Sequence, residues 1–404
     1  MALVRPFAAL RPRPEVASRV AAVPYDVVNT DEARALAQDP LSFLHVSRAE
    51  IDLPPKTDPY ADAVYQTAVR NFDALKASSL SLEEHPALYL YRLRMGAHVQ
   101  TGVAAAYSVD EYARDLIKKH EKTRPDKEND RTRHIIDTRA QSGPVLLTYR
   151  QHDALRRAID QGTLTGAPLY DITASDGIQH TIWRASDALR DDIVATFADV
   201  PALYIADGHH RAASAARAHA HFAQVGEPRE AEHAWFLAVA FPDVEMQILP
   251  YHRVVKDLAG ATPDAFLAAV RTKFGAEPGD ATPRRKGDAS MYLGGRWYAL
   301  RIGDGTNTDP ISSLDVSRLQ DHLLEPLLRI ADPRTDKRID FVGGIRGTGE
   351  LEQIVNRGDA AVAFSLFPTT IAELMAIADA GGIMPPKSTW FEPKLRDGLL
   401  THVI

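Results

Sequence analysis

This sequence contains no cysteine. That absence excludes disulfides, thiolate metal centres and thiol nucleophiles, and it leaves the redox compartment open. Long apolar runs are missing too. None reaches the ~18 residues that cross a bilayer, so no membrane span is expected. The N-terminal stretch MALVRPFAALRPRPEVASRV has basic residues but no continuous apolar segment, so no secretory signal is expected. A soluble cytoplasmic protein is the resulting expectation. Positive charge is not in excess either: the net charge is −7. That argues against an extended nucleic-acid footprint. No internal repeat and no low-complexity tract is visible. No strand is followed by G-x-G-x-x-G, so there is no dinucleotide fingerprint.

What is present is an ordinary globular mix, 45% apolar and 25% charged over 404 residues. That length suits two or three subdomains. Helical and strand periodicities alternate along the chain, which predicts a mixed α/β (α+β) fold. Helices are expected over 31–38, 58–77 and 110–119. ALYLYRLRMGAHVQTGVAAAYSV reads as two strands around Gly96, and LYDITASDGIQHTIWRAS as a hairpin turning at Asp176-Gly177. SGPVLLTYR becomes a strand after Gly143-Pro144. SDALRDDIVATFAD reads as a helix, ALYIA as a short buried strand and RAASAARAHAHFA as a helix. Strands follow in AWFLAVAFP and MQILPYHRVV. The Gly-, Pro- and charge-rich stretch GAEPGDATPRRKG over 275–287 is a boundary. Beyond it come a hairpin, a helix over 314–330, further alternating strands and helices, and a Pro-interrupted, irregular tail.

The densest polar chemistry sits at one junction. Asp207, Gly208, His209, His210 and Arg211 lie between the strand ending at Ala206 and an alanine-rich helix. The first amides of a helix have no intrahelical partners, and they favour an anion together with the helix dipole. Gly208 permits a tight turn. Arg211 can add a forked contact to phosphate or carboxylate. Asp207 fits as a helix cap or as a ligand of a magnesium ion that accompanies the phosphate. The alternative is an ordinary strand–turn–helix with its histidines on the surface. Adjacent histidines diverge by ~100° on a helix, so His209 and His210 do not form a zinc pair. His219 and His221 are expected to be exposed.

A second dense segment, IKKHEKTRPDKENDRTRH over 117–134, carries seven Lys/Arg against four Asp/Glu. It reads as a solvated, mobile loop interrupted by Pro125. The sharper reading is a phosphate-handling lid in which Glu121 takes a proton from a substrate hydroxyl. His120-Glu121 begins like a zincin motif, but Arg124 ends that match. In the tail, GGIMPPKST falls short of a P-loop because Pro386 stands where a glycine amide is needed. Lys387 remains a candidate anion contact. Asp26, in VPYDVVN, is a site acid or part of an Asx-type turn, and the turn is preferred.

These segments together resemble a bacterial and archaeal family of unknown function, DUF1015. The resemblance rests on VPYDVV, PLSFLHVSR, KKHEKTRPDKENDRTRH, YDITASDGIQHTIW, IADGHHRAASA, ILPYHRVVKDL, LDVSRLQDHLLEPLL and MPPKSTWFEPKLRDGLL. The Asp-Gly-His-His-Arg segment is similar to the phosphate-binding turn of the ParB/sulfiredoxin superfamily, and within it to that of the free serine kinases. The resemblance implies a ParB/sulfiredoxin-like core over 110–275. An N-terminal α/β region over 1–109 and a C-terminal one over 276–404 would flank it. It further implies that Asp207, Gly208, His209, His210 and Arg211 bind phosphate and that His120-Glu121 supplies the base. Sulfiredoxin chemistry needs a cysteine and is excluded.

The function expected from this reading is phosphotransfer between a nucleotide, ADP or ATP, or pyrophosphate, and the hydroxyl of a small molecule such as free serine. Mg2+, Arg211, Lys122 and Lys387 would neutralise charge as it develops. The alternatives are a ParB-like switch that binds and hydrolyses a nucleotide, or a phosphatase built on the same turn.

Overall fold

Among the residues that the computed structural model describes, 2–303 and 309–404, nine strands form one sheet. They are β1 (Val4–Arg5), β2 (Tyr89–Met95), β3 (His98–Ser108), β4 (Ile117–Lys118), β5 (Val145–Tyr149), β6 (Tyr170–Thr173), β7 (Gln179–Arg184), β8 (Leu203–Asp207) and β9 (Trp235–Pro242). The order across the sheet is β4-β8-β5-β9-β3-β2-β7-β6, with β1 paired to β3. The β4/β8 and β5/β9 pairs are parallel; the others are antiparallel. Period-two alternation sends Val103, Ala105 and Tyr107 of β3, Val145 and Leu147 of β5, Leu203 and Ile205 of β8, and Phe236 and Ala238 of β9 into one core. The residues between them, such as Ala104, Leu146 and Val239, are buried as well. A sheet covered on both faces reads as continuous apolar runs, which is how ALYIA and AWFLAVAFP read.

The helices around it are α1 (Asp62–Ser78), α2 (Val109–Ala113), α3 (Pro125–Thr138), α4 (Asp153–Thr165), α5 (Asp187–Phe197) and α6 (His209–Gln224). Leu155 and Ile159 of α4, Ile193 and Phe197 of α5, and Ala212 and Ala215 of α6 join the sheet's core. Small residues on α6 let it approach the sheet closely. α3 lies against α6, with Ile135 packed on Ala218 and Phe222. Ser214 Oγ donates to the Glu128 carbonyl across 3.2 Å.

By their contacts, Met1–Met246 and Pro393–Ile404 form one compact unit and Gln247–Glu392 another. The chain end returns to the first unit because Thr401–Val403 pairs with both Ala9–Pro12 and Ala140–Gln141. The second unit holds a six-stranded antiparallel sheet. Val254, Tyr292, Val342, Leu351 and Ala363 pack in its core. No described helix is long and apolar enough to cross a membrane.

The expected mixed α/β fold is the one found, and the hairpins around Gly96 and Asp176-Gly177 stand where the turn residues place them. Three local expectations are corrected. The helix expected over 110–119 stops at Ala113. Asp115 takes a left-handed φ of 59°, and the chain then becomes β4; pairing with β8 outweighs the helical pattern. The charged stretch is not a loop throughout. From Pro125 it is helical, because proline's missing N–H and fixed φ suit the first helical position. The helix expected over 314–330 is divided by a π-turn over Gln320–Leu324.

Candidate functional site

Two parallel strands build the site. Leu203 pairs with Ile117 and Tyr204 with Lys118, so β8 and β4 run together to the same edge of the sheet. The segments that leave their C-terminal ends therefore emerge side by side, where open α/β sheets place their ligands. One segment is Asp207–Arg211. The other is Lys119–Arg124. The separation of 86 positions between Arg124 and His210 is bridged once this strand pair has formed.

Gly208 makes the turn. It is the N-cap of α6 with φ 92° and ψ 31°, a left-handed conformation that glycine adopts without strain. The next two histidines diverge. The ring of His209 turns inward, where its Nε2 accepts from the His120 amide across 3.4 Å. Its proton is therefore on Nδ1, which stands 3.8 Å from Oε2 of Glu121. The ring of His210 turns to the other side, and its Nε2 accepts from the Arg124 amide across 3.0 Å. Arg124 is the N-cap of α3, so this bond ties the starts of α3 and α6 together.

Neither histidine fits the surface reading. His209 is 5% exposed and His210 half-buried. Burial holds His209 well below the usual imidazole range, with the His120 ring adding to the effect and Asp207 opposing it. Burial likewise lowers His120 to about 4, against the pull of Asp207. Both rings are neutral at physiological pH. His120 packs edge-on against His209 with centroids 4.4 Å apart. Its ring has the Ile205 carbonyl as a marginal backbone partner, and neither nitrogen makes a hydrogen bond of good geometry. The ligand atoms of His120, Glu121 and His209 all lie within 4.8 Å of one another. The divergence expected for adjacent histidines holds, but His209 finds its partners on a different segment.

Arg211 sits differently from expectation. It is 8% exposed. Its Nη2 donates to Asp207 Oδ2 across 2.8 Å, and its Nη1 donates to the Pro144 carbonyl. The forked contact with a ligand is thus replaced by contacts with the protein. Burial opposes its charge, but Asp26, Asp207 and Asp397 hold it firmly protonated. Two glycines give it room. A Cβ on Gly208 would stand 3.0 Å from the guanidinium carbon, and one on Gly143 would stand 3.3 Å from its Cδ.

Asp207 is not the cap of α6; no side chain caps it. Its carboxylate faces Arg211 on one oxygen and Lys394 Nζ, 3.5 Å away, on the other. Burial works against ionisation, but Lys394 and Arg211 hold the carboxyl far below its ordinary range. With two cations already on it, Asp207 does not fit as the ligand of a bare magnesium ion.

Asp26, weighed as a site acid or a turn residue, lies in the expected turn and also stands 3.9 Å from Arg211. Other participants escaped the sequence reading. The Asp26 turn is held by Arg48, whose Nη1 donates to the carbonyls of Tyr25 and Val28. Arg131 stacks 4.2 Å from the Tyr25 ring and donates to Asp130 and to the Ser47 carbonyl. Asp397, 2% exposed, has an unpartnered Oδ1. Burial raises its carboxyl to about 7, against the pull of Arg211. Arg131, Arg211, His134, Tyr25 and Asp397 line a cavity of about 40 Å³ beneath the turn, space for roughly a few waters. The one available signal for Lys394 and Asp397 was charge embedded in an apolar, irregular tail. Of the remaining candidates, Lys122 is exposed on the loop beside Glu121. Lys387 belongs to the second unit, with its ammonium 5.5 Å from the Tyr251 ring centre. His219 is half-buried and shares a 2.8 Å contact with His233.

No curated protein matches this sequence. Among solved structures, the chain is similar to a point variant of a free serine kinase in complex with AMP, at 12% identity and a TM-score of 0.35, covering 74% of this chain and 92% of that one. It is similar to SbnI from Staphylococcus aureus at 13% identity and a TM-score of 0.38, covering 74% and 87%. A conserved hypothetical protein from Pyrococcus furiosus is similar at 14% identity and a TM-score of 0.34, covering 75% and 95%. The sequence itself matches a family profile over residues 4–317, a span that holds both segments of the site. The chain belongs to the family of proteins of unknown function DUF1015.

Proposed function

We propose that the first unit is a phosphotransferase. It would move a phosphoryl group between a nucleotide, supplied as its magnesium complex, or pyrophosphate, and the hydroxyl of a small molecule, with free serine the first to test. The observation that carries this reading is the meeting of Glu121 with the turn, 3.8 Å from His209 Nδ1. Glu121 keeps 43% of its side chain exposed, so an incoming hydroxyl can reach it. The hydroxyl proton passes to Glu121, the hydroxyl oxygen bonds to phosphorus, and the bond from phosphorus to the leaving phosphate oxygen breaks. The first-turn amides of α6 supply positive potential where that charge develops. Lys122 and Lys394 would add to it. His209 and His210 shape the turn, and Arg211 acts as a positioning residue by holding Asp207 and the Pro144 carbonyl.

The test is phosphorus NMR of the full chain with serine, magnesium and ADP, ATP or pyrophosphate in turn. Phosphoserine formed only with acceptor present is the expected result. Free phosphate released at the same rate without an acceptor would replace this reading with a nucleotide-hydrolysing switch or a phosphatase.

A further inference from the structure

We propose that His120, His209 and Glu121 form a binding site for a divalent transition-metal ion of the zinc or cobalt kind. The proposal goes beyond the phosphotransferase reading and does not depend on it. Three donors, two imidazoles and a carboxylate, already lie within 4.8 Å of one another. A tetrahedral ion with N and O ligands at about 2.0–2.1 Å holds its donors about 3.3 Å apart. The closure needed is small. The two histidines are fixed by the ends of adjacent parallel strands, while Glu121 stands on an exposed loop and can supply the movement.

A second observation points to a ligand. His120 is 2% exposed, and besides the cluster the Ile205 carbonyl can take the proton of one ring nitrogen, which leaves the lone pair of the other unused. A neutral imidazole with an unused lone pair, beside a second imidazole and a carboxylate, is a ready metal donor. Asp207 lies close enough to both rings to favour positive charge there. Coordination through His209 Nδ1 would move its proton to Nε2. The bond given up is the 3.4 Å contact from the His120 amide, which is a long one.

The donor set selects the ion. Magnesium and calcium prefer an all-oxygen shell, whereas two imidazoles with a carboxylate suit zinc, cobalt, nickel or iron. Three protein ligands beside an exposed loop leave a coordination position for water or a substrate oxygen, the arrangement of catalytic rather than structural sites.

The experiment uses the full chain, freed of metal by chelation and titrated with cobalt(II) in the absence of nucleotide. One equivalent per chain should bind, with visible absorption bands that equimolar zinc(II) abolishes. Glu121→Gln and His120→Asn should each weaken cobalt binding at least ~10-fold, the scale on which even the outer partners of a metal ligand act. Glu121 is on the surface, so Glu121→Gln tests the site even if His120→Asn fails to fold. Absence of saturable cobalt binding by the wild type would overturn the proposal. So would a Glu121→Gln protein whose cobalt affinity and spectrum match those of the wild type. Neither readout involves phosphotransfer, so failure of one proposal leaves the other standing.

Discussion

The amide of Arg124 donates to Nε2 of His210 across 3.0 Å, joining the first residue before α3 to the first turn of α6. This bond requires a neutral His210 ring. Burial supplies that condition by lowering the ring's affinity for a proton. His210→Ala should cost about 1 kcal/mol of stability, the net worth of one such bond. Hydrogen exchange should rise at Lys122–Arg124 before it rises in the strands. Denaturant midpoints and amide exchange measure both, and unchanged exchange at Arg124 would show that the bond does not hold the loop.

The left-handed turn at Gly208 makes a second prediction. Any other residue there pays for φ 92°, and its Cβ meets the Arg211 guanidinium at 3.0 Å. Gly208→Ala should destabilise the first unit by roughly 1–3 kcal/mol. Arg211→Lys should do comparable damage, since an ammonium cannot serve Asp207 and the Pro144 carbonyl as a planar fork does. Equilibrium urea unfolding is the measurement. A Gly208→Ala protein as stable as the wild type would mean that the turn relaxes.

Asp397 predicts a pH signature. Burial raises its carboxyl from 3.8 to about 7. Between about pH 4 and 7 the folded protein holds a proton that the unfolded chain has released, so this group's contribution to stability falls as pH rises through that window. Asparagine does not titrate. Asp397→Asn should therefore gain on the wild type by up to about 1.4 kcal/mol per pH unit across the window, and by nothing further above it. The buried histidines act oppositely. His120 and His134, lowered to about 4, cost stability as pH falls from their ordinary 6.5, because the unfolded chain then takes up protons the folded one cannot. They are shared by both proteins and cancel in the difference. A pH-independent difference between the two urea midpoints would show that Asp397 is ionised throughout.

For Glu121 the prediction is kinetic. Glu121→Gln keeps shape and hydrogen bonding but cannot accept a proton. Turnover with serine should fall by ~10²–10⁴, while nucleotide affinity by calorimetry stays within about two-fold. Equal turnover would remove the proton-accepting role, and a parallel loss of nucleotide affinity would make Glu121 a binding group instead.

Much of the fold was legible because its signals are local. Apolar runs bounded by turn residues marked β3, β5, β8 and β9, and the glycine at 208 marked the turn. The segments that interlock around the turn were also visible as motifs. VPYDVV supplies Tyr25 and Asp26, PLSFLHVSR supplies Ser47 and Arg48, and the tail supplies Lys394 and Asp397. Their assembly was not visible, because nothing in the spacing of Asp26 or Asp397 says which distant guanidinium they face. Asp26 was weighed as a site acid and assigned to a turn; its backbone does turn there, and its carboxylate also faces Arg211.

The sequence by itself determined the mixed α/β class, the Asp207–Arg211 turn and the exclusion of thiol chemistry, since these follow from periodicity, backbone freedom and composition. Only the tertiary structure decided that Glu121 meets His209, that Arg211 faces inward and that Lys394 neutralises Asp207. Those outcomes depend on strand pairing and burial between residues far apart in the chain. Such pairings are chosen by the free energy of the whole packed core rather than by any neighbouring residue.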